Sequence, residues 1–463
     1  MGTVPIGRKR FIHHAAAAVF ICGFAGAASA QQTPGGGQTE KPPETAPAQP
    51  APSSSPVPTF AILGPSREIK LAEYTWFRFG AQVQAWYRVA QDRIIQPDGS
   101  DGSYAMDFYC RRCRFFTTGS VFKDIYFNVL FEASNLGRAD LTQTSTKSFV
   151  SPQILDAYGQ VKFADFFWLS GGSILMPLTR NGLQPTTTYV SIDNANVDTT
   201  PVLQGNSNVL RDLGFQANGF FVENHVEYRV GVFQGSRQAS IATQTASHNA
   251  PRFVAMVSAN LWDTETGYVN GGHYFGAKRV LGVMGNFDYQ KFRKNAPPAA
   301  GADKNAYFGV SGAVFLNYPL SGTPSRQGGD EVVGLLQFGY YDGGLRLSPT
   351  GTTTDAGTYA AVLKQTNYLA EAGYYNHTVK ASVFGKFEKR KISDDYPLAF
   401  RQAPPAGVSP SQTWIAFGLK YYVAPFNFMN FALQYERINW DDAPGTQQGG
   451  TNNLTFQMQT LLY

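Results

Sequence analysis

Charge is scarce in this chain of 463 residues: 15% are Asp, Glu, Lys or Arg, against about 25% in an average globular domain. An ordinary soluble enzyme is a poor fit to that surface. Long apolar runs are missing as well. Beyond the N-terminal region no stretch of about 18 apolar residues occurs, so no helix of this sequence spans a bilayer, and a mean hydropathy of −0.23 is too polar for a helical membrane protein. Cysteine is limited to Cys22, Cys110 and Cys113, and histidine to six residues. No glycine-rich phosphate loop, metal-ligand cluster or nucleotide fingerprint is present, so neither a metal nor a cofactor is expected. What is abundant is aromatic residues and glycine, with 35 Phe, 24 Tyr and 47 Gly, which excludes disorder for most of the chain.

The first thirty residues read as a secretory signal peptide. Arg8, Lys9 and Arg10 precede an apolar core, 15–24, and Ala28-Ser29-Ala30 offers a small-residue cleavage site before Gln31. Cys22 as a lipoprotein cysteine would follow the bulky Ile21, which disfavours that reading. The 38 basic residues less the three of the leader, against 33 acidic ones, leave a mature net charge near +2. That is too small to argue for a nucleic-acid partner. Residues 31–70 are rich in Pro, Ala and Gly and cannot bury enough apolar surface to fold. They read as an extended linker, either a tether or a leader without a partner.

From Tyr74 onward the dominant signal is alternation. Phe77, Phe79, Ala81, Val83, Ala85, Tyr87 and Val89 share one parity and Arg78, Gly80, Gln82, Gln84 and Arg88 the other. That is a strand with one apolar face. Sixteen such segments can be drawn, at 74–90, 105–119, 124–136, 153–163, 167–176, 209–220, 222–234, 252–262, 276–292, 305–318, 331–342, 359–374, 378–390, 412–423, 427–440 and 451–463. Their connections alternate between tight turns and longer polar loops, although 263–274 and 319–329 are long for tight turns. The pattern predicts an all-β, transmembrane antiparallel barrel of about sixteen strands, apolar outside and wet inside. Aromatic pairs near strand ends, such as Tyr374-Tyr375 and Tyr421-Tyr422, suit lipid interfaces. The final alternation of Leu454, Phe456, Met458 and Leu462 before Tyr463 resembles the terminal signal read by the outer-membrane assembly machinery.

Within the second strand, Cys110 and Cys113 lie three positions apart. At about 3.3 Å per residue their Cα atoms would stand about 10 Å apart, beyond the reach of a disulfide. Two free thiols are therefore expected, and a zinc site lacks further ligands.

Specific runs resemble a known family. Cys110-Arg111-Arg112-Cys113-Arg114-Phe115 with Phe122-Lys123-Asp124, the stretch Gly172-Ser173-Ile174-Leu175-Met176-Pro177-Leu178-Thr179-Arg180-Asn181-Gly182-Leu183, Glu227-Tyr228-Arg229-Val230-Gly231-Val232-Phe233-Gln234-Gly235 and Lys278-Arg279-Val280-Leu281-Gly282-Val283 are similar to motifs of the phosphate-selective porin O and P family. The resemblance covers residues 74–463. It implies a sixteen-stranded, trimeric diffusion channel of the bacterial outer membrane, set among its lipids, with the third loop folded into the lumen.

On that reading the third loop, 177–208, builds the constriction with Arg180, Asp193 and Asp198, while Arg112 and Arg114 on the wall complete it. Arg78, Arg88, Lys162, Arg229, Arg252, Lys380 and Lys386 fall on the lumen parity, interspersed with Asp124, Glu132, Asp156, Glu223 and Glu227. A dedicated phosphate site needs several convergent donors to replace water around the anion, and the loop supplies one Arg. The expectation is a weakly anion-preferring porin for small hydrophilic solutes, with a phosphate or polyphosphate channel as the alternative. A barrel enzyme or adhesin is the alternative of another class. His225, between Glu223 and Glu227, has no nucleophile beside it, so no catalytic residue is assigned, and no loop is long enough to favour an adhesin.

Overall fold

The computed structural model describes residues 68–95, 99, 102–138, 151–199, 210–235, 250–291, 306–325, 327–343, 362–402, 410–424, 428–442 and 447–462. The chain divides into two units between residues 54 and 55. The first lies wholly outside the described residues, so the expected signal peptide and nearly all of the linker fall there too. Everything below concerns the second unit.

Seventeen strands form one antiparallel sheet. They are β1 (Ile69–Lys70), β2 (Trp76–Gln91), β3 (Tyr104–Phe122), β4 (Ile125–Leu136), β5 (Gln153–Ala164), β6 (Phe167–Leu175), β7 (Arg211–Phe221), β8 (Val226–Phe233), β9 (Arg252–Asn260), β10 (Val280–Lys291), β11 (Ala306–Pro319), β12 (Glu331–Asp342), β13 (Gln365–Asn376), β14 (Ala381–Ile392), β15 (Gln412–Ala424), β16 (Met429–Trp440) and β17 (Gly450–Leu462). From β2 onward each strand pairs with its successor, and β17 returns to β2, placing Phe456 opposite Tyr87. Sixteen long strands thus close a barrel without free edges. The two-residue β1 continues the ladder on β2, pairing Ile69 with Phe77 beyond the point where β17 ends opposite Ala81.

The alternation read from the sequence sorts the side chains. On β14 the outward Val383 and Phe387 are 57% and 40% exposed, while the inward Lys386, Glu388 and Arg390 are buried. Phe79, Val83 and Tyr87 on β2 and Phe417, Leu419 and Tyr421 on β15 are likewise exposed. An apolar exterior continuing around the wall would be unstable in water. It is the lipid face of a transmembrane all-β barrel. Short turns such as 123–124, 165–166 and 377–380 lie at one end, which the longer connections 261–279 and 320–330 share.

Two expectations are corrected by the backbone. Cys110 and Cys113 form a disulfide, with Cα atoms 6.4 Å apart. The register against β2 jumps from Gln84–Arg112 to Ala85–Cys110, which makes Arg111 a β-bulge. The extra residue shifts the parity, so both sulfurs fall on one face at nearly the spacing of second neighbours. Lys380 is not on the lumen wall. It is an exposed residue of the 377–380 turn with φ of 54°, and its carbonyl accepts a hydrogen bond from the Tyr422 amide.

Candidate functional site

The third long connection, described over 176–199, leaves β6 and turns into the barrel, where most of its residues are buried. A loop backbone held inside a barrel needs a partner for each N–H and C=O, and inward polar side chains of the wall provide them. Ser311 donates to the Leu178 carbonyl at 2.7 Å and Asn286 to that of Pro177 at 2.6 Å. Lys420 donates to the carbonyls of Tyr189 and Ser191 at 2.6 and 2.7 Å. Glu371 accepts from the Ser191 amide and Glu388 from the Val197 amide, at 3.0 and 3.1 Å, and Arg390 donates to the Asn196 carbonyl at 2.9 Å. Lys386 is paired with Glu388 at 2.8 Å, so this sequence-assigned lumen charge belongs to the seating of the loop.

Apolar side chains complete the seat. Leu178, Leu183, Val190, Ile192, Ala195 and Val197 of the loop join Val254, Met256, Met284, Phe315, Val333, Leu335, Leu369 and Phe384 of the wall in one buried cluster. These wall residues point inward, where an open channel would carry polar groups. On the β9 to β15 side the loop is thus seated by this apolar cluster together with the polar contacts above.

The opposite side stays polar. Arg112 and Arg114 on β3, Arg211 on β7 and Asp156 on β5 line a cavity of about 100 Å³, closed on its other flank by Gln184, Thr186, Tyr189 and Asn194 of the loop. The bulge aims two consecutive guanidinium groups at one loop carboxylate: Arg112 Nη2 lies 2.5 Å from Asp193 and Arg111 Nη2 3.0 Å from it. Burial alone would raise Asp193, but Arg111 and Arg112 outweigh it and hold this carboxyl well below the usual range. Arg114 pairs with Glu132 and donates to Thr186 at 2.8 Å. Arg211 forks onto Asp156 at 3.2 and 3.3 Å. Four guanidinium groups thus face three carboxylates.

The remaining assigned residues scatter. Arg180 is buried, 2.8 Å from Glu265 and stacked 4.1 Å from the Phe315 ring centroid. It lies in a seam between inserted segments and does not line the arginine cavity. Asp198 is buried against β12, accepting from Gln337 at 2.7 Å, and burial pushes its carboxyl up to about 7. Arg229 bonds Glu227 at 2.7 Å, Arg252 bonds Asp288 at 2.8 Å and Arg78 bonds Glu68 at 2.9 Å. Lys162 lies 2.7 Å from Asp165 and over the Trp168 ring, and Arg88 stands opposite Asp107 and Thr455 in the ladder. His225 Nδ1 is 2.7 Å from the Asn260 carbonyl.

Among solved structures, the chain aligns with Salmonella typhi OmpF in its daunomycin complex at a TM-score of 0.52 and 12% identity, over 86% of this chain and 100% of that one. It aligns with Pseudomonas putida OprB at a TM-score of 0.54 and 7% identity, over 83% and 94%. The chain has the porin barrel fold. No protein-family model and no curated protein matches it in sequence. The phosphate-selective resemblance accordingly stands on the motifs quoted above alone. Strict strand parity places Arg111 on the lipid face, and Arg211, within the expected strand 209–220, carried no site assignment. The signal for Arg111 was Cys-Arg-Arg-Cys itself, once closed as a disulfide around a bulge.

Proposed function

We propose that this chain is a porin of the bacterial outer membrane, exported by its N-terminal signal peptide. It would form a water-filled channel for passive diffusion of small hydrophilic solutes and ions, with a weak anion preference. The observation that carries this reading is the cavity between the third loop and the β3 to β7 wall, lined by Arg112, Arg114, Arg211 and Asp156, beside which Arg111 and Arg112 share Asp193. A throat of low dielectric focuses even a single excess charge onto passing ions. A homotrimer surrounded by outer-membrane lipid and inserted by the assembly machinery fits the barrel, and no enzymatic role is assigned. The motif resemblance, together with the convergence of Arg112, Arg114 and Arg211 on one cavity, favours phosphate or polyphosphate as the second reading. Against it, each of these guanidinium groups already holds a carboxylate, so a dehydrated phosphate would have to displace one. Planar-bilayer recordings in a salt gradient decide. A small reversal potential of anionic sign, with phosphate competing poorly against chloride, is expected. Micromolar phosphate block would establish the second reading instead.

A further inference from the structure

The long connection between β9 and β10, residues 261–279, starts from the short-turn end of the barrel, yet its residues 270–276 are all buried. It enters the lumen from the mouth opposite the third loop, and the two meet. Arg180 of the loop donates to Glu265 at 2.8 Å and to the Gly271 carbonyl at 2.9 Å. The Gly272 amide donates to Thr188 Oγ1 and the Asn270 amide to the Leu183 carbonyl, both at 3.0 Å. At Gly272 any Cβ would collide with the Thr188 carbonyl oxygen, so the close approach requires glycine. From below, the segment is held by Arg229, which donates to the carbonyls of Tyr268 and Gly267 at 2.7 and 2.9 Å. Glu331 accepts from the Gly276 amide and stands 2.7 Å from His273 Nδ1.

One side chain of this segment lines two cavities. Tyr268 lines the arginine cavity and also a second cavity of about 30 Å³, bounded by Gln160, Trp168, Gln216 and Asn218. Its ring packs 4.9 Å from that of Tyr158, and its hydroxyl accepts from the Leu175 amide at 2.6 Å. The second cavity is polar but nearly uncharged, since Arg229 is paired with Glu227. Trp168 Nε1 and Gln216 Oε1, both on side chains more than nine-tenths buried, have no hydrogen-bond partner among the described residues. Buried polar atoms of this kind mark a place for bound water.

We propose that this infolded turn is the second half of the constriction and that Tyr268 sets the size limit of the channel. The inference rests on the channel reading above and deepens it. Solutes are sorted by charge at the arginine cavity and by size at Tyr268, whose ring, packed on Tyr158, stands between that cavity and the amide-lined one. Conducting species are therefore small ions and compact hydroxyl- or amide-bearing molecules.

The test uses the full chain in planar bilayers and liposomes. Replacing Tyr268→Ala should raise single-channel conductance about twofold or more and admit larger uncharged sugars in liposome swelling, and Tyr268→Trp should lower both, because conductance follows the narrowest cross-section. The anion-to-cation permeability ratio should stay near that of the unmutated chain in both variants. An equal conductance and size cut-off in all three proteins would overturn the inference while leaving the channel reading intact. Absence of conductance in the unmutated chain would overturn the channel reading itself. If Tyr268→Ala fails to assemble, Thr266→Cys, on the wall of the second cavity, decides. A charged thiol reagent should cut its current by at least half, and no block would overturn the inference.

Discussion

The two halves of this lumen obey different rules. Along β2 to β8 the inward residues include Gln82, Gln84, Arg112, Arg114, Asn128, Asp156, Gln216 and Arg229, as a water-filled barrel requires. Along β9 to β15 the inward positions add Val254, Met256, Met284, Phe315, Val333, Leu335, Leu369 and Phe384, which join the apolar residues of the third loop in one cluster, to polar ones such as Asp288, Glu371, Lys386, Glu388 and Lys420. The inserted segments therefore do more than narrow a pore. Apolar packing together with buried polar contacts seats the third loop against β9 to β15, and the arginine cavity lies between the loop and the other side of the wall.

The seam that maintains this division should be its most sensitive point. Arg180→Ala leaves the Glu265 carboxylate buried without its cation, and breaking a buried pair costs about 3–5 kcal/mol. Reduced thermal stability in detergent and larger, noisier single-channel currents are expected. Adding Glu265→Gln to the same chain should restore part of both. An Arg180→Ala channel with unaltered stability and noise would show that the two inserted segments are seated independently.

A smaller effect is expected on the wet side. Asp193→Asn removes the carboxylate shared by Arg111 and Arg112, and the two uncovered guanidinium groups should move the reversal potential towards anions. Conductance should change by less than about twofold, since one charge alters the field more than the cross-section. A shift towards cations would mean that ions do not pass this wall.

The most gradual effect belongs to the buried Asp198 and depends on pH. Asp198 has an ordinary value of 3.8, raised by burial to about 7 in the folded chain. Below about 3.8 it is protonated in both states. Between there and about 7 the unfolded chain has released a proton that the native one keeps, so its contribution to stability falls as pH rises, by roughly 1 kcal/mol per unit at most. Above about 7 the loss levels off. Urea unfolding in detergent should show this slope in the unmutated chain and not in Asp198→Asn, and parallel curves would place Asp198 in contact with water.

What was legible beforehand follows from what repeats. All sixteen long strands could be read because period-two alternation recurs against a constant exterior, and an apolar lipid face tolerates few exceptions. The infolding of the third loop came from the motif around Pro177 and Arg180. The infolding of 261–279 did not, because glycines and polar residues suit an exposed turn as well as a buried one. Only contacts distant in sequence, such as Arg180 with Glu265 and Arg229 with the Tyr268 carbonyl, distinguish the two. The inward apolar residues of β9 to β15 were visible in the sequence as lapses from strict alternation, with Met284 and Phe315 as examples, but their meaning depends on what they pack against. A bulge leaves no such trace. Arg111 shifts the parity of half of β3, and with it the reach of Cys110 to Cys113.

The division of the lumen is tested most directly by thiol block at two matched positions. Asn194→Cys lies on the arginine cavity and Ala313→Cys within the apolar packing of the other side, while the native Cys110 and Cys113 are held as a disulfide and stay silent under non-reducing conditions. In planar bilayers a small charged thiol reagent should reduce the current through Asn194→Cys by half or more and leave that through Ala313→Cys unchanged. Equal block at both positions, or block at Ala313→Cys alone, would contradict a channel confined to the β2 to β8 side.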